Sequence, residues 1–224
     1  SSLPSIIICH QLNIRLPKAL SWLNKINNKL LANFNSIWLP DNEDNLSGNL
    51  SSTRLKHSRI GLLSSYSKTE VKKNIDFLIV LSGPEPQRNL LEIKLLHSVP
   101  LNSKIVMVRG TSVQSETNIE FEYYNLAPQK IMNDLLNRAK LVISRSGYSS
   151  IMDYKTIGTP AILIPTPGQT EQEYLAKYLN DNPQFKMVNQ KDISPEMFNW
   201  LSISNSGKQK GPIKLNEGAL INSL

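Results

Sequence analysis

Apolar positions cluster in short runs separated by polar, Gly- and Pro-bearing turns. The runs at 76–82 (DFLIVLS), 103–109 (SKIVMVR), 119–124 (IEFEYY), 140–145, 161–164 and 185–188 have the length and β-branched content of buried strands. Between them, the stretches 86–97, 129–138, 151–157 and 171–179 carry helical spacing, with a further short helix at about 195–201. From residue 76 the order is therefore β-α-β-β-α-β-α-β-α-β. That order predicts an α/β fold, a doubly wound Rossmann-like and mostly parallel sheet with helices on both faces.

Upstream, 5–10 reads as a strand. A helix over 17–34 follows, with Pro17 at the favoured first position. Ala19, Trp22, Leu23, Ile26, Leu30 and Phe34 share one side of it, so this helix is expected to cover a core. Residues 36–39 form the next strand, and the polar stretch 41–58 reads as loop. These elements suggest four parts: 1–60 as the end of one Rossmann-like half, 61–75 as a linker, 76–201 as a second domain, and 202–224 as a flexible tail rich in Ser, Asn, Gly and Lys. No internal repeat is present.

The densest chemistry lies in 139–178. The run LVIS breaks at Ser146-Gly147, with Ser149 and Ser150 as N-cap candidates for the helix that follows. Gly158 and Pro160 stop that helix. The turn 165–168 (PTPG) separates the next strand from a helix with acidic residues at its start, as the macrodipole prefers. A strand running through a Gly turn into a helix aims backbone N–H groups and a positive dipole end at one spot, which suits a phosphate. On geometry alone such turns serve equally well as plain connections.

The residues of this stretch resemble the donor-binding half of the inverting glycosyltransferases of family 28, in particular its peptidoglycan branch, which adds N-acetylglucosamine to a lipid-linked precursor. The matching residues are Arg145-Ser146-Gly147, Asp153 six residues on, the strand from Gly158 through Pro160 to Pro165, and Gln172-Glu173-Tyr174. The family has Glu where Asp153 stands and Gln where Glu173 stands. Its phosphate-side loop, Gly-Gly-Ser-x-Gly-Ala-Arg, is matched at 83–88 only by Gly83 and Arg88, with Pro84, Glu85 and Pro86 between them. At 10–13 the family's His-Glu-Gln-Asn is matched by His10 and Asn13.

The resemblance implies a GT-B architecture with the front of its N-terminal domain missing, in keeping with a chain that opens on SSLPSIIICH without an initiator Met. It implies transfer of a sugar from a UDP-linked donor to an acceptor hydroxyl with inversion. Gly83, Arg88, Ser146, Gly147, Ser149, Ser150, Asp153, Gln172 and Glu173 would bind the donor, with Asp153 on the ribose. The catalytic base would lie in the absent part, with His10 a candidate cleft residue. The loop after 119–124 would read the base. No D-x-D motif is present, so no metal and no cofactor beyond the UDP-sugar co-substrate is expected. A hydrolase or epimerase on the same fold, or a non-catalytic nucleotide-sugar binder, are the alternatives.

Charge adds one asymmetry. The chain carries a net +7, and residues 1–75 hold ten Lys and Arg against four Asp and Glu. A solvated basic face is the plain reading. An anionic lipid surface or acceptor is the functional one, consistent with a lipid-linked or glycan acceptor and peripheral membrane association. Basic runs interleaved with stacking aromatics are missing, so a nucleic-acid partner is not expected. The single cysteine, Cys9, lies in an apolar run and reads as an inert buried thiol. A lone cysteine without a disulfide partner fits a reducing cytoplasm, so the expected location is there, at the inner face of the membrane, and no apolar run approaches the roughly 18 residues of a spanning helix.

Overall fold

The computed structural model describes residues 3–16, 18–100, 102–114 and 119–200. The tail expected at 202–224 and residue Pro17 lie outside the described residues.

Two parallel sheets organise the chain. The first has three strands, β1 (Ile6–Ile8), β2 (Ser36–Leu39) and β3 (Ser58–Arg59), in that order. The second has six: β4 (Ile75–Val80), β5 (Ile105–Val108), β6 (Glu122–Tyr124), β7 (Ala139–Ser144), β8 (Ala161–Leu163) and β9 (Phe185–Met187), in the order β6-β5-β4-β7-β8-β9. Every pairing in both sheets is parallel. The helices of the larger sheet are α2 (Gln87–Leu96), α3 (Gln129–Arg138), α4 (Tyr148–Ile157) and α5 (Thr170–Leu179). This is the doubly wound arrangement read from the sequence, with its topological switch between β4 and β7.

Alternation across the pleat divides the core in two. Leu78, Val106, Val142 and Leu163 face α3, α4 and α5, where they meet Leu135, Ile151 and Leu175. Ile79, Met107, Ile143 and Ile162 face the other side, against Leu91 and Leu95 of α2 and Met197 and Phe198 of a 3₁₀ turn, Pro195–Asn199. The short helix expected at about 195–201 is this 3₁₀ turn. Each fully buried Leu or Ile contributes about 1.5–3 kcal/mol relative to exposure. The two faces together account for the strands reading as unbroken apolar runs. Gly158 ends α4 at φ 80°, a left-handed conformation that costs other residues about 1 kcal/mol or more.

The first sheet corrects the reading of 17–34. The structure has a 3₁₀ turn, Lys18–Leu20, and a shorter helix α1 (Leu23–Leu31). Its apolar side points outward: Trp22, Ile26 and Leu30 are 53%, 46% and 58% exposed, and the buried residue is Leu31. Polar residues decide this orientation. Asn24 accepts the Ile14 N–H at 2.8 Å and donates to Ile14 O at 2.9 Å, and Asn27 donates to Leu12 O at 2.9 Å. These bonds turn the Asn24 and Asn27 side toward the 12–14 backbone and leave the Trp22 side uncovered.

The stretch read as loop, 41–58, is ordered around the buried carboxylate of Asp41. It accepts from the N–H groups of Asn42, Leu46 and Ser47 and from the Ser47 hydroxyl. A 3₁₀ turn, Gly48–Ser51, follows, and Ser58 pairs in register with Trp38. The expected linker, 61–75, ends inside β4, and its middle lies against α3 and α4.

Candidate functional site

Because all six strands of the larger sheet run parallel, their carboxyl ends open on one edge. The switch between β4 and β7 leaves a crevice there, the position at which open α/β sheets bind ligands. Gly83, after β4, and Gly147, after β7, border it. A Cβ on either would meet nothing within 4 Å, so space lies in front of both backbones.

Gly147 is the N-cap of α4, which starts at Tyr148, one turn earlier than its apolar residues suggested. Ser149 and Ser150, expected as caps, lie inside the first turn. Gly147 brings no side chain to the helix end, and no side-chain cap bonds it. The first N–H groups of a helix have no partner within it. Together with the macrodipole they present a site for an anion. Ser149 is exposed and Ser150 half-buried.

Arg145, just before this turn, is 2% exposed. Its guanidinium donates to Gln87 O at 2.7 Å, Pro165 O at 3.2 Å and Ile164 O at 3.4 Å, and Nε has no partner among the described residues. Burial pushes its pKa down to about 10. A cation held by three carbonyls ties together the entrances to α2, α4 and the turn before α5. Ser146 is also buried and donates to Gln172 O at 2.8 Å.

The Gln172-Glu173 pair clasps the 165–169 turn. Gln172 Oε1 accepts the Thr166 N–H at 3.0 Å while its Nε2 donates to Gln169 Oε1. Glu173 Oε1 accepts the Gly168 N–H at 2.8 Å. Glu173 also borders a cleft of about 770 Å³ between α5 and the 13–16 turn, shared with Asn13, Arg15, Thr170 and Lys177.

Arg88 is turned inward, 5% exposed. Its guanidinium pairs with Glu85 and with buried Glu92, which also binds Arg109. Glu85 additionally accepts the Asn89 N–H at 3.1 Å, so its carboxylate sits over the start of α2. Burial raises the Glu92 pKa, but its hydrogen bonds to Arg109 and Arg88 win and hold it below the ordinary carboxylate value.

Asp153 is half-buried on α4, and its Oδ1 accepts the Ser64 hydroxyl at 2.6 Å. Burial holds its carboxyl above the ordinary value, against the Ser64 hydrogen bond. His10 stands at the end of β1, between the two sheets. Its Nε2 lies 3.0 Å from Glu171 Oε1 and its ring stacks on Tyr148, whose hydroxyl donates to Pro40 O at 2.9 Å.

The fold thus gathers Gly83, Ser146, Gly147, Ser149 and Ser150 at one edge, with Gln172 and Glu173 beside them and Asp153 further along α4. Sequence reasoning gave no binding role to Arg145, Tyr148, Glu171 or Ser64. The first two sit inside or beside the Arg-Ser-Gly motif, which was the available signal, and Glu171 read only as a dipole-favoured acid. Nothing in the sequence singles out Ser64. Among the described residues no group of three His, Cys, Asp or Glu side chains could hold a metal ion, and no helix is long and apolar enough to cross a membrane.

Comparison with known proteins bears on this edge. Residues 78–200 match the glycosyltransferase family 28 C-terminal domain. A UDP-N-acetylglucosamine–N-acetylmuramyl-(pentapeptide) pyrophosphoryl-undecaprenol N-acetylglucosamine transferase from Sulfurihydrogenibium sp. (strain YO3AOP1) is 31% identical over 127 residues, 54% of this chain and 35% of the relative. The protein of the same name from Gloeothece citriformis (strain PCC 7424) is 37% identical over 101 residues, 43% of this chain and 27% of the relative. The chain therefore spans about a third of these relatives' length. In fold it resembles the crystal structure of Acinetobacter baumannii MurG, with TM-score 0.54 and 18% identity over 92% of this chain and 58% of that one. A glycosyltransferase of kitacinnamycin is similar at TM-score 0.56 and 13% identity, covering 81% of this chain and 49% of that one.

Proposed function

The chain belongs to glycosyltransferase family 28, and from that premise we propose that it carries the donor-binding half of an enzyme that moves a sugar from a UDP-linked donor to an acceptor hydroxyl. The observation that carries this reading is the uncapped start of α4 at the switch-point crevice, bordered by two glycines with open space before them.

In this reading the donor diphosphate lies against the 147–150 N–H groups, with the Ser149 and Ser150 hydroxyls beside it. Preorganised donors and a helix dipole stabilise the charge that grows on a leaving diphosphate, and they do so without reorganising. Buried Arg145 adds a fixed positive charge behind the same turn. Asp153 accepts the ribose hydroxyls. The turn clasped by Gln172 and Glu173 shapes the sugar pocket. Gly83 lines the opposite wall, and Arg88 acts there by neutralising Glu85. Inversion requires a base on the acceptor side to take the hydroxyl proton as it attacks the anomeric carbon. His10, bonded to Glu171 and stacked on Tyr148, is the cleft residue nearest that role. The transfer proceeds without a metal, the helix end taking the place of a cation at the diphosphate. The acceptor is lipid-linked or a glycan, met at the cytoplasmic face of a membrane, and the chain, which spans about a third of its relatives' length, does not turn over alone.

Titration calorimetry tests the donor class. UDP should bind at least about tenfold, or 1.4 kcal/mol, more tightly than ADP or GDP. Equal affinity for the three, or none for any, rejects the reading. One observation favours a second one: Glu85 occupies the start of α2, where the family's loop would approach phosphate. A non-catalytic nucleotide-sugar binder would bind UDP yet give no sugar product from a UDP-sugar and acceptor even in the longer protein, and a hydrolase would release free sugar without acceptor.

A further inference from the structure

Residues 62–69 carry no helix or strand, yet side chains hold them along α3 and α4 as a strap. Gln129 donates to Ser65 O at 2.8 Å. The Ser67 N–H donates to Asn133 Oδ1 at 2.9 Å. Asn137 accepts from the Thr69 N–H at 2.8 Å and donates to Ser67 O at 3.0 Å. Leu62 and Tyr66 pack against the main core. A segment pinned in this way presents its polar groups at fixed points. One of those groups is the Ser64 hydroxyl, which accepts the Tyr66 N–H at 3.1 Å and donates its own proton to Asp153 Oδ1 at 2.6 Å.

We propose that Ser64 is a positioning residue for the nucleoside subsite: it fixes the rotation of the Asp153 carboxylate so that the remaining lone pairs are aimed at a ribose before the nucleotide arrives. The inference rests on the ribose reading of Asp153. A carboxylate has about four lone-pair positions, so one bond from Ser64 leaves acceptors for a diol. Terminal carboxylate torsions are broad and roughly two-fold when unrestrained. Holding one oxygen from a pinned strap removes that freedom in advance, which is the usual source of affinity by preorganisation. The strap that joins the two sheets is in this way part of the site.

Calorimetry on the full chain with UDP and with 2′,3′-dideoxyuridine diphosphate tests this. The parent protein should prefer UDP by about tenfold or more, as expected for bonds to an ionised group. Ser64→Ala should shrink that preference to about two- to threefold with dideoxy affinity unchanged, and Ser64→Thr, which keeps the hydroxyl, should restore it. Unchanged dideoxy binding reports an intact fold. Should Ser64→Ala fail to fold, Ser64→Cys, similar in shape but a weak donor, carries the same expectation. A variant that keeps the parent's preference overturns the role of Ser64 and leaves the ribose assignment standing. A parent protein that binds the two nucleotides equally overturns both.

Discussion

His10 and Tyr148 stack ring on ring across the boundary between the two sheets, with centroids 4.1 Å apart and planes 12° apart. Tyr148 is the first residue of α4, so the contact links the end of β1 directly to the candidate phosphate turn. The Tyr148 hydroxyl extends the link to Pro40 O, and Glu171 holds the far side of the imidazole. Tyr148→Phe keeps the stack but leaves a buried carbonyl without its donor. It should lower unfolding free energy by about 1–2 kcal/mol. Urea denaturation measures this, and an unchanged midpoint would mean that Pro40 O finds water instead.

Gly48 fits the boundary in a second place. Its φ is +53°, and a Cβ there would run into the Tyr174 hydroxyl and the Tyr178 ring. Tyr174 also accepts the Asn49 N–H, and Tyr178 donates to Asn45 O. Gly48→Ala should cost about 1–3 kcal/mol from backbone strain alone, and near-UV circular dichroism should report the displaced tyrosines. A variant matching the parent in both melting and spectrum would show that the 45–49 turn is not held against α5.

Glu92 is the counter-charge for two buried arginines, Arg88 and Arg109. Glu92→Gln leaves Arg109 without a carboxylate and Arg88 with Glu85 alone, and should destabilise by about 3–5 kcal/mol. The pH dependence follows in sign. The folded pKa lies below the unfolded one, so this stabilisation is complete above about pH 4.5 and is lost as pH falls through the depressed folded value. Stability curves of the parent and Glu92→Gln should thus converge in acid, and curves that stay parallel down to pH 2 would contradict the assignment.

Asp153 has the opposite shift. Burial raises its folded pKa above 3.8, so its neutral form favours folding; that contribution is present below pH 3.8 and is lost as pH rises through the folded value. Asp153→Asn should therefore not lower the melting temperature near neutral pH. It should nevertheless weaken UDP binding by about tenfold or more and leave uracil binding unchanged. UDP affinity of the parent should fall as pH drops through the raised Asp153 value. A variant that binds UDP like the parent removes Asp153 from the ribose.

The sequence by itself determined the elements whose signal is local. A strand buried on both faces is apolar along its middle rather than alternating, so the runs within 76–82, 140–145 and 161–164 announced β4, β7 and β8. A left-handed helix end needs Gly, so Gly158 marked the stop of α4. The order of those elements was enough for a doubly wound parallel sheet, and the Arg145-Ser146-Gly147 turn located its crevice. Tertiary structure decided everything that depends on which surface meets which. Helical periodicity in 17–34 showed that an apolar side exists but not that anything covers it, and two asparagines turned that side outward. The polar stretch 41–58 read as loop because its order comes from one buried carboxylate, Asp41, rather than from any repeat. Arg88 kept its place in the motif while its guanidinium went to Glu85 and Glu92. Ser64 reached Asp153 across 89 residues, and His10 reached Glu171 across 161. Such contacts leave no local pattern, because their free energy is gained only once the chain has folded back on itself.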